Sequence, residues 1–199
     1  MTEALIALTA VLVLAVARIP LGFAMAIVGT IGFAALRGPI AAVETVGQLI
    51  LDFSMSYTFA VLPMFVLMGA FVHRSALSKD LYEASYAWLG HFRGGLSMAT
   101  VAASAGFGAA CGSSVATAAT MGRVALPSMR RFGYDPGLAA GTIAAGGTLG
   151  ILIPPSMSLV VYGFLTQQDI GRLFIAGIVP ALITVVLYFW VVAIVTRLK

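Results

Sequence analysis

The chain has 199 residues, of which 61% are hydrophobic and only 9% are charged, and its formal net charge is +4. A soluble domain carries about 25% charged residues because its surface faces water, so this composition excludes a soluble enzyme and a disordered regulator. The basic residues separate apolar runs and form no patch with interleaved aromatic side chains, which argues against nucleic acid as a partner. Cys111 is the single cysteine, so an internal disulfide is excluded. The composition indicates an integral membrane protein surrounded by the lipid bilayer.

The charged residues divide the chain into apolar stretches whose lengths predict the membrane elements. A helix needs about 20 apolar residues to cross the roughly 30 Å hydrocarbon core. The long uncharged stretches are 4–17, 19–36, 53–72, 94–122, 136–168 and 173–196. By this measure 53–72 and 173–196 each cross once. The first two stretches are separated by Arg18-Ile19-Pro20, and because proline cannot continue a helix, two helices are predicted there.

The first 17 residues allow a second interpretation, a cleaved export signal, because Ala15-Val16-Ala17 has the small side chains of a cleavage site. Export signals carry positive charge before their apolar run. This segment carries Glu3 there and neither lysine nor arginine. The sequence therefore favours a retained first helix.

The basic residues predict the orientation of the helices, because lysine and arginine are enriched on the cytoplasmic side of a membrane. One orientation leaves only Arg37 and Arg172 outside. Its cytoplasmic set is Arg18, Arg74, Lys79, Arg93, Arg123, Arg130, Arg131, Arg197 and Lys199. Residues 80–92 mix charged and aromatic side chains, which is typical of an amphipathic helix in the interface, so 80–93 is predicted to be an interfacial arm.

The stretch 94–122 begins after Arg93 and ends before Arg123, and both flanks are predicted to be cytoplasmic. Two crossings with a turn need more than about 40 residues. Only 29 residues lie between these flanks. The segment 94–126 is therefore predicted to be a re-entrant helical hairpin that dips to the middle of the membrane and returns. Non-helical backbone at that depth is tolerated only inside protein or beside a water-filled cavity, so the hairpin tip is a candidate binding site.

The stretch 136–168 holds 33 residues where one crossing is expected. It contains Gly146-Gly147-Thr148-Leu149-Gly150 and then Pro154-Pro155-Ser156. Glycine loosens a helix and proline removes a hydrogen-bond donor. A helix broken near its middle is therefore predicted over 136–167, with halves of about 137–149 and 156–166.

The two unwound segments, the tip around Cys111-Gly112-Ser113-Ser114 and the break between Gly147 and Pro155, predict a cation site. Hydroxyl and carbonyl oxygens suit Na⁺, because hard cations prefer oxygen ligands. Unwound carbonyls coordinate coupling ions in secondary transporters, and the N-termini of half-helices face anionic groups of the substrate.

The same residues allow a structural interpretation, a non-transporting scaffold or assembly subunit, because glycine and serine in membrane helices commonly serve close packing. Gly108-x-x-x-Gly112 and Gly137-x-x-x-Gly141 fit that pattern and are predicted to pack against neighbouring helices. An enzyme is not predicted. The apolar stretches hold no paired carboxylates and no His/Cys cluster with metal spacing, and a serine nucleophile at Ser113 or Ser114 has no base within reach. No phosphate-binding loop indicates the use of ATP.

Several short motifs occur together along the chain. They are Pro63-Met64-Phe65-Val66-Leu67-Met68-Gly69, Gly112-Ser113-Ser114-Val115-Ala116-Thr117-Ala118-Ala119, Pro127-Ser128-Met129 with Gly133-Tyr134, Gly147-Thr148-Leu149-Gly150-Ile151-Leu152-Ile153-Pro154-Pro155-Ser156, and Tyr162-Gly163 followed by Ile170-Gly171-Arg172-Leu173-Phe174. Their combination resembles the large membrane subunit of the tripartite ATP-independent periplasmic (TRAP) transporters. The resemblance covers nearly the whole chain, and the combination is specific although each motif alone is not.

The resemblance implies an all-α, multi-pass protein of the bacterial inner membrane, forming half of an elevator-type transporter. The implied activity is Na⁺-driven import of carboxylate solutes, with a small membrane subunit and a periplasmic substrate-binding protein as partners. Residues 1–79 would be scaffold helices, 80–93 the arm, 94–168 the transport region and 169–199 a final transmembrane helix.

The resemblance also assigns site residues by position. The Na⁺ site would include Gly112, Ser113 and Ser114 at the hairpin tip and Gly147, Thr148 and Gly150 in the unwound helix. The solute is expected against the same two segments, at Ser114, Thr117, Pro154, Pro155 and Ser156. No catalytic residue and no organic cofactor is expected.

One departure from the family pattern affects these expectations. Family members are built from two inverted repeats and are roughly twice this length, whereas the chain matches the first repeat only. The second hairpin and second broken helix, which complete the sites, are expected on a companion segment. A fragment, a split subunit and a truncation all fit, and in each case the chain alone is not expected to transport.

Overall fold

The computed structural model describes residues 2–198, without the side chains of residues 57–60. Over this range the chain is helical and contains no strand, which confirms the predicted all-α class. The helices are α1 (Thr2–Val16), α2 (Leu21–Arg37), α3 (Pro39–Met55), α4 (Tyr57–Arg74), α5 (Leu77–Leu89), α6 (Gly95–Cys111), α7 (Ser114–Arg131), α8 (Pro136–Leu152), α9 (Met157–Thr166) and α10 (Ile170–Leu198).

The contacts divide the chain into two compact units, Met1–Phe59 and Ala60–Lys199. This division by contact differs from the division by role that the sequence suggests, into 1–79, 80–93, 94–168 and 169–199. The division by role stays a prediction.

In the first unit, α2 packs against both α1 and α3. Pro20 precedes α2 in an extended conformation, as the break predicted after Arg18 requires. Gly38 joins α2 to α3 at φ 94° and ψ 155°, a conformation open essentially to glycine alone. The apolar stretches do not predict α3, because Glu44 and Asp52 interrupt its hydrophobic run. The predicted helix 53–72 corresponds to α4, which begins at Tyr57 and ends at Arg74, while residues 53–55 form the end of α3.

In the second unit, the arm helix is α5, and it begins three residues before the predicted 80. The axis of α5 is bent by 64° from that of α4. One face of α5 packs against α6 and buries Tyr82, whereas Trp88 on the other face is 81% exposed. This two-sided character is that of the amphipathic helix that the sequence predicts.

The helical hairpin is present as α6 and α7, joined by Gly112 and Ser113 alone. Its first arm, α6, lies at the centre of the unit and contacts α5, α7, α8 and α10. Ala99, Ala103 and Phe107 of this arm are fully buried. The depth of the hairpin in the bilayer stays a prediction.

The broken helix is present as α8 and α9, which are separated by residues 153–156. Asp135 caps α8, because its Oδ1 accepts a 2.9 Å hydrogen bond from the Leu138 N–H, and Pro136 opens the helix. The break coincides with Pro154 and Pro155, which have no N–H to donate and are joined by a cis peptide bond.

By length and apolarity, two helical runs of the described chain are able to cross a membrane, Pro136–Thr166 and Ile170–Leu198. The bent pair formed by α4 and α5 adds a third if it is one span. The helices α1, α2 and α6 are apolar but shorter. The chain is therefore an all-α protein with helices suited to an apolar environment.

The two glycine motifs predicted to pack behave differently. A Cβ added at Gly108 would lie 2.7 Å from the Cα of Gly150, so α6 and α8 touch backbone to backbone there. The same addition at Gly141 meets nothing within 4 Å, and at Gly137 it meets only the side chain of Asp135. The packing prediction is confirmed for Gly108, whereas no helix of the described chain packs against Gly137 or Gly141.

Candidate functional site

The hairpin turns at Gly112, which adopts a left-handed conformation with φ 65°. A Cβ at this position would lie 3.0 Å from Cε1 of Phe65 and 3.2 Å from the carbonyl oxygen of Pro155. Glycine is therefore required both for the turn and for the approach of the neighbouring segments. The tip is held between α4 on one side and the break between α8 and α9 on the other.

The second arm of the hairpin begins with a serine cap. Ser113 is extended, and its Oγ accepts a hydrogen bond from the Ala116 N–H at 3.4 Å, a long distance for such a bond. The carbonyl of Ser113 is fully engaged, since it accepts from the Thr117 N–H at 3.0 Å and from the Thr117 hydroxyl at 2.7 Å. The Thr117 side chain is thereby buried and committed to the backbone.

The break between α8 and α9 meets the hairpin tip directly. The Met157 N–H donates to the carbonyl of Gly112 at 3.4 Å. A Cβ added at Gly150 would lie 2.6 Å from both the Ser113 carbonyl oxygen and the Thr117 Oγ1. Ser156 is buried, and its hydroxyl donates to the carbonyl of Ile151 at 2.6 Å, which closes the end of α8. The hairpin tip and the break at residues 153–156 are therefore adjacent. The predicted unwound link is shorter than expected, because helical hydrogen bonding continues to the bond from the Ile153 N–H to the Leu149 carbonyl at 2.9 Å, so Gly147, Thr148 and Gly150 lie within α8.

A cavity of about 480 Å³ opens beside this contact. Its walls come from α4, from the hairpin tip and from the break. The lining residues are Phe65, Val66, Gly69, Ala70, His73, Cys111, Gly112, Ser113, Ser114, Ala116, Ile151, Met157 and Ser158. The cavity thus combines an apolar wall with the hydroxyl and backbone oxygens of the tip.

The structure brings together most of the residues assigned to the Na⁺ site. Gly112, Ser113 and Ser114 line the cavity, and Gly150 packs against Ser113. Gly147 packs against α7, where an added Cβ would lie 2.7 Å from the Cβ of Ala118. Each of these five positions lies at or beside the contact between hairpin and break.

The side chain of Thr148 lies away from the tip. Its hydroxyl donates to the carbonyl of Ala145 at 2.7 Å and pairs with the Tyr188 hydroxyl of α10 at 2.9 Å. Because the threonine proton is used on Ala145, Tyr188 is the donor in the second bond. Any contribution of Thr148 to a site at the tip is therefore limited to its backbone.

Among the residues assigned to the solute, only Ser114 lines the cavity. Thr117 and Ser156 are fully buried and bonded to the backbone. The Pro155 carbonyl lies against Gly112. Pro154 instead faces α10, since a Cβ added at Gly177 would lie 3.0 Å from the Pro154 side chain. The assigned set therefore mixes surface residues of the cavity with residues that support them.

The sequence does not predict the wall that α4 contributes to the cavity. Phe65 and Gly69 belong to a motif quoted above, but periodicity alone could not show that it faces the tip. A Cβ added at Gly69 would lie 3.2 Å from the carbonyl oxygen of Cys111, so this glycine permits the approach of α4. The motif singles out these residues in the sequence, but it does not show which element lies opposite them in the fold.

A polar contact fastens the end of α4 to the second arm of the hairpin. Nε2 of His73 lies 3.2 Å from Nη2 of Arg123, and Nδ1 of His73 lies 2.9 Å from Oγ1 of Thr120. A guanidinium group only donates, so Nε2 is the acceptor and Nδ1–H donates to Thr120. His73 therefore bridges two helices at one edge of the cavity.

The fold and this site together define a class of protein. Apolar helices surround a hairpin whose tip meets a broken helix beside a largely apolar cavity that the tip serines also line, and this arrangement is typical of secondary transporters.

The chain matches the family model described as "Tripartite ATP-independent periplasmic transporter, DctM component" over residues 8–199. It belongs to that family, which confirms the resemblance noted in the sequence. Proteins of the family are transporters rather than enzymes, and the chain is accordingly a multi-pass protein of the bacterial inner membrane.

Curated relatives carry consistent descriptions. The chain is 44% identical over 146 residues to the C4-dicarboxylate TRAP transporter large permease protein DctM of Pseudomonas aeruginosa, covering 73% of this chain and 34% of the relative. It is 38% identical to the protein of the same description from Vibrio cholerae, covering 80% and 35%. It is 35% identical to the ectoine/5-hydroxyectoine TRAP transporter large permease protein UehC of Ruegeria pomeroyi, covering 79% and 37%. The matched segment thus spans about a third of each relative.

Proposed function

We propose that the chain forms the N-terminal half of the permease of a Na⁺-coupled importer for carboxylate solutes. Its tip would contribute one Na⁺ site and one wall of the solute site. The observation that supports this most directly is the convergence of the hairpin tip and the helix break beside the 480 Å³ cavity. A second hairpin and broken helix on a companion segment would complete both sites.

Two serine hydroxyls at the tip are available as Na⁺ ligands. The Ser113 Oγ accepts only the long bond from Ala116, and no hydrogen bond of the Ser114 hydroxyl is found among the described residues. Backbone oxygens near Gly112 and in the break between α8 and α9, at residues 153–156, supply the same type of ligand. The coupling ion would therefore lie where the two unwound segments meet.

The solute would bind at the start of α7. The first N–H groups of a helix have no partner within it and carry a partial positive charge, so they attract carboxylates. Ser114 is the first residue of α7 and lines the cavity. As partners we propose a small membrane subunit and a periplasmic binding protein that delivers the solute, in keeping with the name of the family.

The single cysteine offers a direct test of ion binding at the tip. Cys111 is 7% exposed and lines the cavity, so its rate of reaction with a maleimide reports opening of the tip. Na⁺ should slow this labelling several-fold in the purified transporter assembled with its companion segment, whereas the same concentration of choline chloride should not. Equal rates in the two salts would contradict a Na⁺ site at the tip.

Alanine variants test whether the two tip serines are responsible for the protection of Cys111 by Na⁺. Ser113→Ala and Ser114→Ala should each reduce the protection by Na⁺, while Ser54→Ala on the exposed face of α3 serves as the matched control. In the assembled transporter, the two tip variants should lose Na⁺-dependent uptake while the complex still assembles. Unchanged Na⁺ dependence in both tip variants would exclude the serines as ligands.

A second candidate function, that of a structural membrane subunit, is favoured by one observation. Gly108, Gly147 and Gly150 all lie at contacts too close for a Cβ, so helix packing alone accounts for them. This function predicts that Na⁺ leaves Cys111 labelling unchanged and that both serine variants behave like Ser54→Ala. The labelling experiment therefore separates the two functions.

A further inference from the structure

A second, basic cavity lies at the end of α10, away from the hairpin tip. The turn between α5 and α6 carries His91, Phe92 and Arg93, and these residues face Ala193 and Arg197 of α10 across a volume of about 340 Å³. Two arginines from separate elements, 104 positions apart in sequence, therefore converge on one concavity.

A glycine fixes this convergence. Gly94 has φ 77°, and an added Cβ would lie 2.8 Å from Cγ2 of Thr196 and 3.2 Å from Cγ1 of Val192. Only glycine combines that conformation with so close an approach. The turn that carries Arg93 therefore packs directly against the last turns of α10, at Thr196, the residue before Arg197.

Within the described chain, no ion pair with a carboxylate neutralises either arginine. The ion pair found among the described residues is Lys79 with Glu83, at 3.6 Å, and it lies on α5. Arg93 and Arg197 both belong to the set predicted to face the cytoplasm, and the structure places them at the same end of α10. A concavity with two such guanidinium groups and an imidazole selects for an anion with several oxygens.

A second volume, called here the apolar groove, lies beside this basic cavity on α10. A volume of about 350 Å³ is lined by Trp190, Ala193, Ile194 and Arg197, so it shares Ala193 and Arg197 with the basic cavity. Trp190 is 69% exposed and lies seven residues before Arg197, about 10 Å along the helix. Tryptophan is enriched at this depth, where headgroups meet acyl chains.

We propose that this composite surface binds one anionic phospholipid. Its phosphate and headgroup would lie between Arg93 and Arg197, and its acyl chain would follow α10 past Ile194 and Trp190. A free phosphate would use the basic cavity but leave the apolar groove unfilled, so the adjacency of the two volumes, which share Ala193 and Arg197, favours the lipid. Basic pockets between membrane helices bind lipid headgroups by this chemistry. The inference does not depend on the ion or solute proposed above.

The natural fluorescence of the chain provides the assay. The sequence contains two tryptophans, Trp88 and Trp190, so Trp88→Phe leaves Trp190 as the sole reporter. This variant is placed in nanodiscs of phosphatidylcholine that contain a low fraction of phosphatidylglycerol, with bromine on the acyl chains of one lipid or the other. Brominated phosphatidylglycerol should quench Trp190 more strongly than its mole fraction predicts. Quenching in simple proportion to mole fraction would overturn the proposal.

Charge variants identify the groups responsible. Arg93→Gln and Arg197→Gln should each reduce the preference for the anionic lipid about fivefold, the factor expected for one basic residue at a membrane surface. Arg93→Lys should retain most of the preference, because it keeps the charge. Arg130→Gln removes a basic residue outside both cavities and should leave the preference unchanged. Equal behaviour of Arg93→Gln, Arg197→Gln and Arg130→Gln would show a general surface effect and would overturn the site.

Two further arms test whether the ligand is a lipid and whether its site requires the contact between the turn and α10. Inorganic phosphate at about 10 mM should not reverse the excess quenching; reversal would show that the basic cavity is a site for a free anion. Gly94→Ala should weaken the preference by displacing the turn from α10, while helix content by circular dichroism stays unchanged. Full retention of the preference in Gly94→Ala would contradict the geometry on which the proposal rests.

Discussion

The two ends of α8 carry similar glycines in different surroundings. At the end near the hairpin tip, Cβ atoms added at Gly146, Gly147 and Gly150 would lie 2.5–2.7 Å from atoms of α6, α7 or the tip. At the opposite end, Gly141 has nothing within 4 Å. Contacts inside the chain require glycine at the first three positions but not at Gly141. A glycine in a membrane helix therefore does not by itself indicate close packing, because the neighbouring element decides whether the space beside it is filled.

At the packed end of α8, Gly150→Ala is expected to have the greatest consequence. The new methyl group would collide with the Ser113 carbonyl and the Thr117 hydroxyl, both of which are fixed in the hairpin. We expect the free energy of unfolding in mixed micelles to fall by about 1–3 kcal/mol, the usual cost of overpacking. Maleimide labelling of Cys111 should become faster, because the tip is displaced.

The control for this prediction is the same substitution at Gly141, on the same helix. A wild-type stability and labelling rate for Gly150→Ala would mean that the hairpin and α8 do not touch as described. An equal loss in both variants would instead reflect a general intolerance of α8 to alanine.

A smaller effect is expected at Ser156, which ties the break to the packed end of α8. Its buried hydroxyl donates to the Ile151 carbonyl, and Ser156→Ala leaves that acceptor without this partner. We expect a loss of about 1 kcal/mol in the free energy of unfolding, the typical worth of one hydrogen bond. Ser158→Ala, at an exposed position on α9, is the matched control. A loss no greater than that of the control would remove Ser156 from the support of the break.

The helical hairpin and the broken helix could be predicted from the sequence because charge spacing and proline position act locally. Arg93 and Arg123 bound a segment too short to cross twice, and Pro154-Pro155 interrupts helical hydrogen bonding wherever it stands. The helix α3 could not be predicted in this way, since Glu44 and Asp52 give it a mixed composition that resembles a connection. In the structure α3 packs against α2, a contact that no local pattern shows.

In the candidate site too, local features could be predicted from the sequence and tertiary contacts could not. The sequence predicts Gly112 and Ser113 at the tip because a turn is required there, and the structure has the turn at these residues. The direction of the Thr148 side chain depends on Tyr188, which is 40 positions distant, and no local pattern carries that information. The wall formed by Phe65 and His73 is a tertiary feature for the same reason.

At the packed end of α8, substitution of Thr148 separates the contribution of its side chain from that of its backbone. Thr148→Val removes the bond from Tyr188 and should lower the free energy of unfolding by about 0.6 kcal/mol, a typical value for a hydrogen bond between membrane helices. Tyr188→Phe should cost a similar amount, and the double variant should cost little more than either single one. Na⁺ protection of Cys111 should persist in Thr148→Val. Its loss would place the threonine hydroxyl in the ion site.

The smallest expected effect, and one of opposite sign, is that of Gly141→Ala. The added methyl group meets open space, and alanine is a better helix former than glycine, so the free energy of unfolding should rise by about 0.5 kcal/mol. In the assembled transporter the same variant reports whether a companion segment covers this face. Wild-type uptake would leave the face open to lipid, whereas impaired uptake with a stabilised chain would show that Gly141 is a packing glycine whose neighbour lies on another segment. A destabilised isolated chain would contradict the open space found around Gly141 and would make the two ends of α8 alike.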